Sequence, residues 1–131
     1  MTENITLTAA QIRYLMTMAE LEKIRPGIRC TDIAAALGVS KPSVHNMMNT
    51  LAAAEYIRKD AYGCVYFTDT GRDIARRYRR YYEDISELLA AHFPGAADLR
   101  AAVPALLSAI PESELFRRYG SDAANADDVT E

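Results

Sequence analysis

The chain has 131 residues, half of them hydrophobic, and 18 acids against 15 Lys and Arg give a net charge of −3 at pH 7. That length suits one domain, or a small domain with an extension, and the apolar half is enough for a core, which excludes a chain disordered throughout. No apolar run approaches the roughly 20 residues that cross a bilayer, and Met1-Thr-Glu-Asn4 lacks the basic and apolar regions of a secretory signal, so a cytoplasmic protein with no membrane partner is expected.

The elements follow in order. Leu7-Thr8-Ala-Ala-Gln11-Ile12 carries a helix start twice over: Thr8 and Gln11 form a capping box, and Leu7 with Ile12 a hydrophobic staple. Ile12, Leu15, Met16 and Ala19 then keep helical period to about Lys23, and Arg25-Pro26-Gly27 turns the chain. Ile28-Arg29 is a short strand or a loop.

Thr31–Leu51 reads as two helices joined by a tight turn. Thr31 and Ser40 are N-cap residues, Gly38 supplies the positive φ that stops the first helix, and Pro42 falls in the first turn of the second. In the second helix, Ser40–Ala53, the residues Val44, Met47, Met48 and Leu51 form a buried stripe. Lys41, Ser43, His45, Asn46 and Asn49 offer hydrogen-bonding groups and no carboxylate, a surface suited to base edges in a major groove. The expectation is a helix-turn-helix with Ser40–Ala53 as recognition helix.

Tyr56–Asp60 is β-branched, aromatic and alternating, Ala61-Tyr62-Gly63 makes a turn, and Cys64-Val65-Tyr66-Phe67 returns. This two-stranded hairpin is the wing of a winged helix, packing through Ile57, Val65 and Phe67 because an isolated hairpin is marginal. Lys59, Tyr62 and Gly63 at its tip suit contact with the nucleic-acid backbone.

Thr68-Asp-Thr-Gly71 caps a long helix to about His92, with the stripe Ile74, Tyr78, Tyr81, Ile85, Leu88, Leu89 and His92. Roughly 23 residues at 1.5 Å each exceed what a small domain needs, so a partner subunit is expected to cover part of the stripe. Phe93-Pro94-Gly95 breaks the helix. Ala96–Val103 and Ala105–Ala109 read as a small-residue helical pair interrupted by Pro104, and Pro111 opens a last helix through about Tyr119. From Gly120 the sequence is acidic and aperiodic. The expected organisation is therefore a winged helix-turn-helix DNA-binding domain at 5–69, a helical dimerisation region at 70–119 and a disordered tail at 120–131, mainly α throughout.

Charge distribution qualifies the net charge. The last ten residues hold four acids and no base, and without them 15 bases stand against 14 acids. Arg76-Arg77-Tyr78-Arg79-Arg80 could touch phosphates, but Asp73–Arg76, Arg79–Glu83 and Arg80–Asp84 stand at ion-pairing spacing, which favours a solvated face. Cys30 and Cys64 lack zinc-site spacing and are expected as buried thiols. His45 is placed for DNA contact rather than ligation, and His92 for packing or as a helix-dipole partner. No catalytic constellation is present, so an enzyme is not expected.

The words Leu7-Thr-Ala-Ala-Gln-Ile-Arg-Tyr-Leu, Asp32-Ile-Ala-Ala-Ala-Leu-Gly-Val-Ser-Lys-Pro-Ser-Val, Leu51-Ala-Ala-Ala-Glu-Tyr-Ile and Phe67-Thr-Asp-Thr-Gly-Arg, in this order, resemble the diphtheria-toxin-repressor and manganese-repressor family of metal-dependent regulators. The resemblance covers residues 7–92 well and 93–119 loosely, and is to the short form without a C-terminal SH3-like domain. It implies a homodimer holding two winged helices against double-stranded DNA at a pseudo-palindromic operator, as a repressor. The family's DNA-contact positions fall on Ser40, Pro42, Ser43 and Asn46, to which the exposed face adds Lys41, His45 and Asn49, and the wing Lys59 and Tyr62. The family would imply manganese or iron, but its ligand positions fall on Arg13, Met16, Tyr82 and Ser86, and its later acidic cluster on Pro104-Ala-Leu-Leu-Ser108. Arginine repels a cation, and hard divalent ions want carboxylate or imidazole donors, so the standard metal sites are expected to be lost. Two other readings stay open: a winged helix that contacts proteins and not DNA, and a regulator with an organic ligand among Tyr14, Tyr56, Tyr66, Tyr78, Tyr81 and Tyr82.

Overall fold

A computed structural model describes residues 6–120; the tail expected at 120–131 therefore lies outside the described residues but for Gly120. Six α-helices and three short strands follow in the order α1 (Ala9–Ile24), β1 (Ile28–Arg29), α2 (Cys30–Leu37), α3 (Lys41–Ala53), β2 (Ile57–Lys59), β3 (Cys64–Phe67), α4 (Asp69–His92), α5 (Val103–Ala109) and α6 (Glu112–Leu115). This is a mainly helical winged helix-turn-helix with a small antiparallel sheet. The chain divides into two compact units, Arg13–Ala75 and the rest.

The Arg13–Ala75 unit is built on local signals that agree. Ser40 caps α3, its Oγ accepting the Ser43 N–H at 3.2 Å, and Pro42 sits in the first turn where its missing N–H costs nothing. Gly38 ends α2 at φ 67°, a conformation other residues adopt at a cost. Val44, Met48 and Leu51 of α3 are buried, with Leu15 and Met18 of α1, Ile28, Ile33, Ile57, Val65 and Phe67. Met47, at the edge of the stripe, is only half-buried.

Four expectations for this unit need correcting. The wing is not two-stranded: β1 adds to it in the order β1-β3-β2, with Ile28 opposite Val65 and Arg29 opposite Cys64. That pairing also moves the start of α2. The helix begins at Cys30, directly out of the extended Arg29, without a side-chain cap, so Thr31 lies inside the first turn and is not the N-cap. The Cys30 N–H, orphaned at a helix start, is met by the Gly63 carbonyl of the wing at 3.4 Å. In α1 the buried face runs through Tyr14, Leu15 and Met18, while Met16 and Ala19 are half-buried. Cys30 and Cys64 are free thiols, half-buried rather than buried.

The junction of α3, β2 and α4 is tightly specified. Glu55 takes φ 66° just past α3, and Thr68 closes the corner by donating its Oγ to the Glu55 carbonyl at 2.7 Å and its N–H to the Tyr56 carbonyl at 3.0 Å. Thr68 Oγ in turn accepts the Gly71 N–H at 3.0 Å, capping α4 as expected. A Cβ on Gly71 would stand 1.8 Å from the Tyr56 carbonyl oxygen, so only glycine fits. On α4 itself, Arg72 reaches Glu22 of α1 at 2.7 Å.

In the other unit, the capping box is formed: Thr8 N–H to Gln11 Oε1 at 2.9 Å, and Gln11 N–H to Thr8 Oγ1 at 3.1 Å, with the staple residues Leu7 and Ile12 both buried. Tyr78 and Tyr81 of α4 meet edge to face at 5.1 Å and are buried with Ile85, Val103, Leu107 and Leu115. Glu112, 4% exposed, accepts Tyr81 Oη at 2.7 Å and Arg77 Nη1 at 3.2 Å. Burial, and then the hydrogen bond to Glu112, raise the Tyr81 pKa far above the phenol range. The ion pairs Arg79–Glu83 and Arg80–Asp84, both 3.3 Å, account for two of the four clustered arginines and Glu112 for a third.

The C-terminal part of the stripe on α4 is not buried. Leu88 is 47% exposed, Phe93 57%, and His92 lies on the surface. The expected Ala96–Val103 helix reduces to a 3-10 turn at Arg100–Ala102, and Pro104 does not interrupt α5 but stands in its first turn. Among the described residues no helix is long and apolar enough to cross a membrane.

Candidate nucleic-acid interface

The residues selected from sequence form one surface. Ser40 at the cap of α3 and Lys41, Pro42, Ser43, His45, Asn46 and Asn49 along it are all exposed, and Pro42, His45, Asn46 and Asn49 follow the i, i+3, i+4, i+7 spacing of one helical stripe. Ser40 and Ser43 are partly engaged, Ser40 Oγ donating to Ser43 Oγ at 2.9 Å while it caps the helix. Thr50 Oγ1 donates back to the Asn46 backbone carbonyl, and the exposed Asn46 side chain makes no hydrogen bond among the described residues. The surface carries the Lys41 cation, a histidine and two carboxamides and no carboxylate, so it is compatible with phosphates and can both donate to and accept from base edges.

The wing adjoins this stripe. Lys59, which faces Val65 across the β2–β3 pair, donates its ammonium to Asn49 Oδ1. Two residues chosen for separate roles are therefore brought into direct contact. Tyr62 projects from the wing tip, 91% exposed. Arg58, exposed on the outer face of β2 opposite Tyr66, is a further cation that sequence reasoning did not single out.

Asp60 was also missed. Its Oδ1 accepts the Tyr62 N–H at 2.8 Å and the Cys64 N–H at 3.0 Å, and its Oδ2 accepts Tyr66 Oη at 3.3 Å. The backbone N–H of Cys64, then that of Tyr62, hold its carboxyl below the usual carboxylate range. Asp60 thus folds the wing tip as an Asx turn, and Gly63 completes it at φ 84°. The signal was legible as Asp60-Ala-Tyr-Gly63, an Asx-type turn word.

The metal positions do not form a donor set. Arg13 is an exposed guanidinium, Met16 offers a thioether, and the Tyr82 ring lies under the Arg100 guanidinium at 5.2 Å. Hydrogen bonding to Tyr82 raises the Arg100 pKa further, so that position is held by a cation. Among the described residues no group of three or more His, Cys, Asp and Glu could hold a metal ion. At those positions stand a guanidinium, a thioether and a phenol, whereas manganese or iron wants carboxylate or imidazole donors. A cavity of about 500 Å³ lies along the end of α4, lined by Glu83, Glu87, Phe93, Asp98, Leu99 and Arg100 among others; none of the tyrosines considered as ligand contacts lines it. Tyr14, Tyr78 and Tyr81 are core residues instead.

Residues 13–61 match the IclR helix-turn-helix domain model, which covers the helix-turn-helix and the start of the wing. No curated protein matches the chain. Among solved structures, the metal-dependent transcriptional regulator MtsR matches with a TM-score of 0.69 at 20% identity, over 87% of this chain and 54% of its own. The hypothetical protein SSo2273 from Sulfolobus solfataricus matches with a TM-score of 0.63 at 20% identity, over 88% of both chains. ScaR, in a structure with bound Zn2+, matches with a TM-score of 0.64 at 25% identity, over 84% of this chain and 52% of its own. The chain thus spans about half the length of MtsR and ScaR. These likenesses establish a helix-turn-helix DNA-binding domain in the fold of metal-dependent transcriptional regulators.

Proposed function

We propose that this protein is a sequence-specific transcriptional regulator, a repressor of the diphtheria-toxin-repressor type that has lost the standard metal sites. It acts as a homodimer in which α3 reads the major groove of double-stranded DNA and the wing steadies the backbone. The observation that carries this reading is the continuous exposed surface from Lys41 to Asn49, linked to the wing through Lys59. A two-fold dimer presents two such surfaces, which suits a pseudo-palindromic operator. The exposed Leu88 on α4 and Phe93 just beyond it are apolar side chains that a second copy would cover.

The test begins with selection of duplexes from a randomised pool by the full chain. Asn46→Ala should then cost about 1–3 kcal/mol at one operator position and relax preference there. Lys59→Ala should weaken binding to every duplex and lower the salt slope by about one unit. Selection of no duplex, with a protein partner recovered instead, would establish the protein-contact reading and sink this one. Leu88→Asp should convert dimer to monomer in sedimentation.

A further inference from the structure

We propose that Asn49 is a specificity-determining residue whose carboxamide Lys59 orients so that it presents donors to the DNA, and that the base it selects is therefore guanine rather than adenine. The inference rests on the DNA-binding reading above and names what one side chain of that interface chooses. A free asparagine side chain is two-sided: its carbonyl accepts, its NH2 donates twice, and a half-turn exchanges the two ends. That freedom allows the bidentate pair with adenine, in which the amide accepts from N6 and donates to N7.

Lys59 removes the freedom. Its ammonium has three donors and no acceptor, so the atom of Asn49 that it contacts must be the carbonyl oxygen, and the NH2 is turned away from the wing. Rotating the amide would set donors against a cation. The constraint is anchored at both ends, because Lys59 is fixed in the sheet by its pairing with Val65 and Asn49 is fixed in α3. Both side chains are exposed, and neither makes another hydrogen bond among the described residues. The NH2 of Asn49 shares the exposed stripe of Pro42, His45 and Asn46, where it reaches whatever α3 lies against.

The major-groove edges then discriminate. Guanine presents O6 and N7 side by side, two acceptors for an NH2 group, whereas adenine places an N6 donor beside its N7. The Lys59 charge behind the amide reinforces the choice, since guanine's edge is the more electronegative.

The test is the selected motif of the full chain and its variants, followed by anisotropy titration of single-base-changed duplexes. Asn49→Ala marks the position by abolishing preference there. The wild-type chain should favour guanine over adenine at that position by about tenfold. Lys59→Met, an exposed change, releases the amide, and adenine should rise to within about twofold of guanine while the other positions keep their preference. Asn49→Asp keeps a partner for Lys59 but exchanges donors for acceptors, and should turn the preference to cytosine through its N4 donor. Adenine favoured by the wild type, or guanine preference unchanged in Lys59→Met, overturns the proposal. A defined motif indifferent to Asn49→Ala overturns it while leaving DNA reading intact; a wild-type chain that enriches no sequence overturns both.

Discussion

The Lys59 ammonium on β2 and the Asn49 carboxamide on α3 are bonded to one another across ten positions of sequence, so the wing and the recognition helix meet through the two side chains that each would offer to DNA. A cation that serves both an intramolecular acceptor and a phosphate couples two contacts ordinarily treated as independent. Asn49→Ala and Lys59→Ala should therefore be non-additive in affinity, with a coupling of about 0.5–3 kcal/mol in a double-mutant cycle on a selected duplex. Strict additivity would mean that the pair separates before DNA is engaged.

The wing tip should respond to acid through Asp60. Its folded pKa lies below the unfolded value of 3.8, so its contribution to wing order is complete above about 3.8 and is lost as pH falls through the lower, folded value. Amide exchange at Tyr62 and Cys64 should accelerate in that window relative to the helices. Asp60→Asn keeps an oxygen acceptor for both N–H groups and should retain the turn, and by removing a carboxylate near the interface it should tighten non-specific DNA binding. Asp60→Ala loses the acceptor and should loosen the tip and weaken binding. Equal effects from the two variants would assign Asp60 a purely electrostatic part.

Much of this was legible in sequence, and the reason differs by residue. Thr8 with Gln11, Ser40, Gly38 and Thr68 cap within three or four residues of themselves, and each cap is what its local word implies. One kind of error falls where a distant partner decides. Thr31 loses the cap because β1, far from β3 in sequence, pairs with it and delivers the Gly63 carbonyl to Cys30. The helical period at Ala96–Val103 yields to Pro104, which favours a helix start at Val103 rather than a helix running through. The interface residues were chosen by exposure and chemistry, which periodicity reports, whereas the Lys59–Asn49 contact needed the register of the sheet.

The corner after α3 offers paired substitutions of opposite sign. Gly71→Ala drives a Cβ into the Tyr56 carbonyl and should destabilise by more than the usual 1–3 kcal/mol of an overpacked core, because backbone cannot step aside as a side chain can. Glu55→Gly relieves a left-handed residue and should stabilise by up to about 1 kcal/mol. Thermal unfolding of the two variants checks both. A Gly71→Ala protein with unchanged melting would show that the corner has room.

Metal dependence can be tested at the positions where the resemblance would place it. With Arg13 cationic and Tyr82 under Arg100, manganese or iron should leave operator affinity unchanged within about twofold, since no carboxylate or imidazole donor is gathered there. Introducing donors, as in Arg13→Glu with Met16→Asp, should change the outcome toward metal-dependent binding if only the ligands were lost. A strong metal response of the unaltered chain would move the ligand positions elsewhere.

Glu112 gives the sharpest stability test. It is buried, accepts from Tyr81 and pairs with Arg77, whose guanidinium also lies 5.7 Å from the Phe116 ring. Glu112→Ala leaves a cation and a phenol with one fewer acceptor in a dry setting and should cost about 3 kcal/mol. Glu112→Gln keeps an acceptor for Tyr81 but not the charge for Arg77, and should cost less, about 1–2 kcal/mol. Arg77→Met combined with Glu112→Leu removes the cation with its partner and should recover part of the loss, since an apolar replacement of a buried pair is often neutral. The same series should leave the selected DNA motif unchanged, because these residues lie outside the Arg13–Ala75 unit that carries the recognition surface. A double variant as unstable as Glu112→Ala would mean that Tyr81, and not Arg77, is the partner whose satisfaction matters.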